Sequence, residues 1–150
     1  MHTQLLIDNT ARAASDSQKF TWDDPVTGDT ITTMASGTVQ DAIDAVDSAE
    51  RAFATWSQTG PSHRRDILLK AADLLEARAE EFTQVMSSEV SAAEGWSQFN
   101  VYLTTQCLRQ AASLTSRISG ETIPTDRPGV FSMTVRQPAG VVLSMAPWNA

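Results

Sequence analysis

The residues best placed to do chemistry are Pro147, Trp148 and Asn149, which end an apolar run. Val141, Val142, Leu143 and Met145 give the pattern of a parallel strand covered on both faces, begun by Gly140 and stopped by Pro147. Pro147 has no N–H to donate and biases Ala146 toward extended backbone, so the strand is expected to end where Trp148 and Asn149 begin. In open α/β sheets, ligands bind at the carboxyl ends of strands. Two readings of Asn149 stay open on the local pattern. It is either a turn residue or an oxyanion-type donor whose amide N–H stabilises a developing negative oxygen.

Other reactive side chains offer less. Cys107, the single cysteine, excludes an internal disulfide and a multi-cysteine metal site. It falls in a helical pattern, where a free cysteine is expected to be a small buried hydrophobe. His63 sits beside Arg64 and Arg65 in a first helical turn and is expected at the surface, with no catalytic role. Asp41, Asp44, Asp47 and Glu50, with Arg51, lie off an apolar stripe and read as a solvated face; they lack the convergence a metal needs, so no metal site is expected.

These residues need elements to position them. Residues 3–9, 18–22 and 30–34 are expected as short antiparallel strands, with turns at 14–17 and at Asp24-Pro25-Val26-Thr27-Gly28-Asp29. Thr38 and Asp41 have capping-box spacing, and Ala42, Val46, Ala49, Phe53 and Trp56 then recur at helical intervals. Ser62 is expected to cap a second helix running to about residue 88, through Ile67, Leu68, Ala71, Leu74, Leu75, Phe82 and Met86. Ser91 and Glu94 suggest a capping box for a third, carrying Trp96, Phe99, Val101, Leu103, Leu108, Ala112 and Leu114 and stopped at Gly120. Alternation at Phe131, Met133 and Val135 predicts a strand with two different faces.

The 150 residues are enough for one core, burying roughly two-thirds of the unfolded surface. With 11 basic and 18 acidic residues, a net charge of −7 and no basic cluster, nucleic-acid and anionic-membrane partners are not expected. No charged leader pattern opens the sequence, and no stretch reaches the roughly 18 apolar residues of a membrane span, so a soluble cytoplasmic protein is expected. A strand covered on both faces needs neighbours, and nothing follows Ala150 to provide them. The expectation is therefore a truncated chain.

The segment Arg136-Gln137-Pro138-Ala139-Gly140-Val141-Val142-Leu143, followed by Pro147-Trp148-Asn149, resembles the signature of the NAD(P)-dependent aldehyde dehydrogenase superfamily. The Pro25-Val26-Thr27-Gly28 turn, the helix from Arg64 to Glu76 and the loop Gly120-Glu121-Thr122-Ile123-Pro124 are similar to the family as well. The resemblance implies an α/β fold: small antiparallel strands, three long helices and the start of a Rossmann-like parallel sheet. Residues 1–120 would belong to the cofactor-binding domain, 121–138 to a bridging or oligomerisation segment, and 139–150 to the first buried strand of the cofactor-binding sheet. It assigns Asn149 the oxyanion role and places Ala146, Pro147 and Trp148 on the side of an NAD or NADP cofactor. The family's catalytic cysteine comes later, and Cys107 does not match its motif.

Glu89-Val90-Ser91-Ala92 lacks the Gly-Lys pair that many members carry here. The region from Met86 to Val101 resembles instead the branch acting on aromatic aldehydes such as salicylaldehyde, benzaldehyde and vanillin. That makes Trp96 a candidate wall for an aryl ring, or else a helix-packing residue, and Ala150 a small residue leaving room for the ring. The implied function is NAD(P)-dependent oxidation of an aromatic aldehyde to its acid by a homodimer or homotetramer, with these residues alone inactive. The alternative is a non-catalytic interaction or assembly module on the same scaffold, which would expose the strand at 141–145 to a partner.

Overall fold

The computed structural model describes residues 2–146. Five short strands open the chain: β1 (His2–Thr3), β2 (Leu5–Ile7), β3 (Thr10–Arg12), β4 (Lys19–Asp23) and β5 (Thr30–Ala35). β2 and β3 form a hairpin rather than one strand over 3–9, because Asp8 and Asn9 both take positive φ (54° and 55°) and turn the chain in two residues. Asp and Asn tolerate that conformation better than most residues, and primed hairpin turns require it. In the other sheet β5 is central, parallel to β1 and antiparallel to β4, and the β4–β5 register shifts between Trp22 and Asp23.

Four helices follow. In α1 (Val39–Trp56), Thr38 and Asp41 form the expected capping box: Asp41 N–H donates to Thr38 Oγ1 at 3.2 Å, and Thr38 N–H donates to Asp41 Oδ2 at 2.9 Å. The single helix expected over 62–88 is two, α2 (Pro61–Ala77) and α3 (Ala79–Val90), because Arg78 leaves helical geometry (φ −110°, ψ 20°). Gly60, not Ser62, caps α2, and Pro61 takes the first helical position, where its missing N–H costs nothing. In α4 (Glu94–Leu114) the cap is Ala93. Ser91 forms no capping box; it ends α3 in the left-handed region at φ 51°.

α2 and α3 both pack on α4. The buried positions there are small: Ala72, Thr83, Ser97, Val101, Thr105 and Ala112. Small side chains let helix backbones approach closely. Their hydroxyls are satisfied inside the contact: Thr105 Oγ1 donates to the Val101 carbonyl at 2.9 Å, and the Ser87 and Ser97 hydroxyls share a bond at 3.0 Å. Outside, Arg109 of α4 bridges to Asp73 (3.0 Å) and Glu76 (2.7 Å) of α2. The stripe expected from Trp96, Phe99 and Leu114 is therefore displaced, and these three stand half-exposed. Cys107 falls between the buried rows and is exposed, contrary to its expected burial.

After a 3₁₀ turn at Thr115–Arg117, β6 (Thr122–Ile123) and β7 (Ser132–Met133) pair antiparallel, a shorter ribbon than the alternation over 131–135 suggested. Residues 141–146 adopt neither helix nor strand. Val142, Leu143 and Met145 are 75%, 79% and 83% exposed, where a covered strand was expected. The physical reason is pairing: a parallel strand exists only with neighbours to bond its edges and elements to cover its faces, and the described residues supply neither.

Candidate functional site

Pro147, Trp148, Asn149 and Ala150 lie outside the described residues. Of the candidate site residues, Ala146 and Trp96 are described. Ala146 is exposed, at the end of a segment that is neither helix nor strand among the described residues.

Trp96 stands in the first turn of α4, where its N–H donates to the Ala93 carbonyl at 2.9 Å. Its ring meets Phe99 at a centroid distance of 5.6 Å, tilted by 33°, and the two are 42% and 46% exposed. Offset, tilted aromatic pairs of this kind are attractive. Asn100 is committed elsewhere, since its Nδ2 donates to the Trp96 carbonyl at 2.9 Å. Ser97, the next residue on α4, is fully buried, so helix packing holds the backbone at Trp96 while its side chain stays open.

Neither Trp96 nor Ala146 lines the 510 Å³ cleft that the Arg136–Gly140 segment forms with the end of α1, the start of α2 and the 3₁₀ turn. Phe53, Trp56, Arg64 and Ile118 face Arg136 and Gly140 across it. Arg64 is braced there by three contacts. Its guanidinium lies 5.8 Å from the Trp56 ring centroid, its Nε donates to Thr59 Oγ1 at 3.0 Å, and its Nη2 donates to the Ser57 carbonyl at 3.4 Å. These contacts hold Arg64 on the end of α1, so the wall of the cleft opposite the Arg136–Gly140 segment is a fixed one. Sequence reasoning missed Arg64 in this role; the available signal was an aromatic helix end followed by Gly60-Pro61 and an arginine one turn on.

Asp41, expected on a solvated face, is instead 3% exposed. It accepts from the backbone N–H groups of Thr38 (2.9 Å) and Ser15 (3.1 Å), and Arg12 Nη2 reaches its Oδ1 at 3.1 Å. Those donors, the Thr38 and Ser15 N–H groups first, hold its pKa down to about 2. Asp44 accepts from Gln40 Nε2 at 2.9 Å and shares Arg12 at 2.7 Å, and these bonds, Gln40 first, hold it below the usual carboxylate range. The acidic face is thus an anchor for the N-terminal hairpin. His63 is exposed, and among the described residues no group of three or more His, Cys, Asp or Glu is placed to hold a metal. Nor, among them, is any helix long and apolar enough to cross a membrane.

Residues 12–150 match the family described as "Aldehyde dehydrogenase family". The chain is 48% identical over 149 residues to a salicylaldehyde dehydrogenase of Pseudomonas putida, which covers 99% of this chain and 31% of that protein. It is equally 48% identical over 149 residues to a vanillin dehydrogenase of Pseudomonas sp. strain HR199, with the same 99% and 31% coverage. The fold superimposes on the crystal structure of a salicylaldehyde dehydrogenase from Pseudomonas putida G7 complexed with salicylaldehyde. The TM-score is 0.89 at 47% identity, covering 92% of this chain and 28% of that one. The chain thus spans about a third of the length of these relatives. From the Arg136–Gly140 turn to the helical layer beneath it, this chain belongs to the aldehyde dehydrogenase family.

Proposed function

We propose that this chain contributes the oxyanion donor, one wall of the cofactor site and one wall of the substrate site to an NAD(P)-dependent enzyme that oxidises an aromatic aldehyde to its carboxylic acid. The observation that carries this is the half-exposed Trp96–Phe99 pair, in a chain 48% identical to enzymes named for salicylaldehyde and vanillin. An aryl aldehyde stacks on the open face of the Trp96 indole, and Ala150 leaves room beside it.

The reaction needs a thiolate to attack the carbonyl, donors for the resulting oxyanion, a hydride acceptor and a base to activate water. When bound, NAD or NADP supplies the hydride acceptor. Asn149 donates its side-chain N–H to the carbonyl oxygen as that oxygen gains charge, and Ala146, Pro147 and Trp148 line the cofactor side. In this reading residues 1–120 and 139–150 are parts of the cofactor-binding domain and 121–138 a bridging segment. The nucleophile and base come from outside residues 1–150, so those residues alone turn nothing over. The full enzyme works as a cytoplasmic homodimer or homotetramer.

The test uses the full-length protein with NAD or NADP and a panel of salicylaldehyde, benzaldehyde, vanillin and propanal, following cofactor reduction by absorbance. Aldehyde-dependent reduction with a higher kcat/KM for the aryl substrates is expected. Absence of reduction with every aldehyde would sink the activity, and a preference for propanal would sink the aromatic assignment alone.

A further inference from the structure

Two long-range ties meet at the corner between α3 and α4. Glu89 lies in the last turn of α3, so its carbonyl has no intrahelical partner. The indole Nε1 of Trp22 donates to it at 2.7 Å, across 67 residues of chain. At Ser91 the chain leaves α3 in left-handed geometry, and the Ser91 hydroxyl donates to Asp24 Oδ1 at 3.1 Å, again across 67 residues. Trp22 and Asp24 flank the end of β4, where the sheet register shifts. Asp24 is itself fixed in place, accepting from the N–H groups of Val26 (2.7 Å) and Thr27 (3.1 Å).

The corner held by these ties leads into α4 and, in its first turn, to Trp96. The contact of α3 with α4 is built separately, on Thr83, Ser97, Val101 and Thr105, none of which touches Trp22 or Asp24 by hydrogen bond. Cutting the ties therefore leaves the helical layer packed and frees only the corner. We propose that Trp22 and Asp24 are positioning residues for Trp96. They grip the Glu89 carbonyl and the Ser91 hydroxyl, and so set the angle at which α4 presents its indole to an aromatic substrate. This rests on the assignment of Trp96 to the substrate wall made above.

The double variant Trp22→Phe/Ser91→Gly removes one N–H and one hydroxyl while keeping the aromatic ring and the left-handed backbone. In the full-length enzyme it is expected to raise KM for salicylaldehyde roughly fivefold to tenfold, the scale of one or two lost hydrogen bonds. The kcat, the KM for propanal and the cofactor KM stay nearly unchanged. The double variant Trp22→Phe/Ser91→Asn, whose Asn tolerates the left-handed region and restores a donor, returns to the level of Trp22→Phe alone. Should the double variant not fold, Trp22→Phe alone is expected to raise the salicylaldehyde KM about twofold to fivefold. An equal change for salicylaldehyde and propanal, or none for either, overturns the proposal. Trp96→Ala is measured alongside. If it abolishes the aryl preference while the Trp22 and Ser91 variants keep it, the positioning role falls and the substrate wall stands; if Trp96→Ala keeps the preference, both fall.

Discussion

Arg12 and Asp41 meet at 3.1 Å although 29 residues separate them, and their contact ties the β2–β3 hairpin to the first turn of α1. Arg12 reaches Asp44 one turn further on, at 2.7 Å. Asp41 meanwhile completes the cap of its own helix and takes the Ser15 N–H. One carboxylate thus joins strand, loop and helix.

This arrangement makes stability sensitive to acid in a defined window. Asp41 has a folded-state pKa lowered to about 2, below its ordinary value of about 4. Its contribution is therefore fully present above the ordinary value and is lost as pH falls through about 4 toward 2. Hydrogen exchange of the β2–β3 amides should show protection falling across that window in the wild type. Asp41→Asn should start lower and fall less steeply there, the remaining slope belonging to Asp44, which shares Arg12; a variant with the full wild-type slope would assign the acid sensitivity to another group.

Thr38→Ala separates the cap from the ion pair. It removes the hydroxyl that accepts from Asp41 N–H but leaves Arg12 in place. A loss of about 1 kcal/mol is expected in denaturant titration, typical of a lost N-cap. No change in the unfolding midpoint would mean that the Asp41 side chain alone secures the helix start.

The close α2–α4 contact predicts intolerance to added volume. Ala72 and Ala112 are 0% and 1% exposed. Ala72→Leu should destabilise by about 1–3 kcal/mol, because the helices must separate or the new side chain must leave its rotamer. Ala77→Leu, at an exposed position on the same helix, should be nearly neutral. Equal effects at both positions would refute close packing as the cause.

The contrast between Thr38 and Ser91 shows how much was legible in the sequence. Both are followed three residues on by an acid, and both suggested a capping box. At Thr38 local geometry sufficed, and the box formed. At Ser91 the residue turned left-handed instead, and the bonds made there reach Asp24 and Trp22, far away in sequence. Asp41 looked solvated for the same reason, since Arg12 and Ser15 bury it from a distance. The helices themselves were readable because their periodicity is local; the break at Arg78 and the small-residue seam of α4 were not, because partner helices decide which stripe is covered. The apolar run at 141–145 carries a strand pattern, but pairing partners make a strand, and the described residues contain none for it. The family motif was legible throughout.

Gly120 tests a place where the β6–β7 ribbon presses on the chain leaving α4. A Cβ there would collide with the Thr134 carbonyl oxygen, while Glu121 and Thr134 exchange bonds beside it at 2.8 and 2.9 Å. Backbone cannot yield as a side-chain tip can. Gly120→Ala should therefore cost about 1–3 kcal/mol by the same overpacking logic. Amide exchange should rise at Glu121 and Thr134 first; unchanged exchange there would show that the ribbon shifts without strain.

Asn149→Ala in the full-length enzyme tests the chemistry assigned to the end of this segment. If the side-chain N–H acts on charge that develops only during reaction, removing it should lower kcat on the order of 100-fold to 1,000-fold. A donor of that kind contributes little before the carbonyl oxygen gains charge, so cofactor Kd and aldehyde KM should move far less than kcat. A single-turnover rate lowered as far as kcat, with no burst of reduced cofactor, would place the loss at thiolate addition or hydride transfer rather than product release. If kcat holds while KM rises, Asn149 binds ground-state substrate; if neither moves, it is the turn residue that its position after Pro147 and Trp148 equally allows.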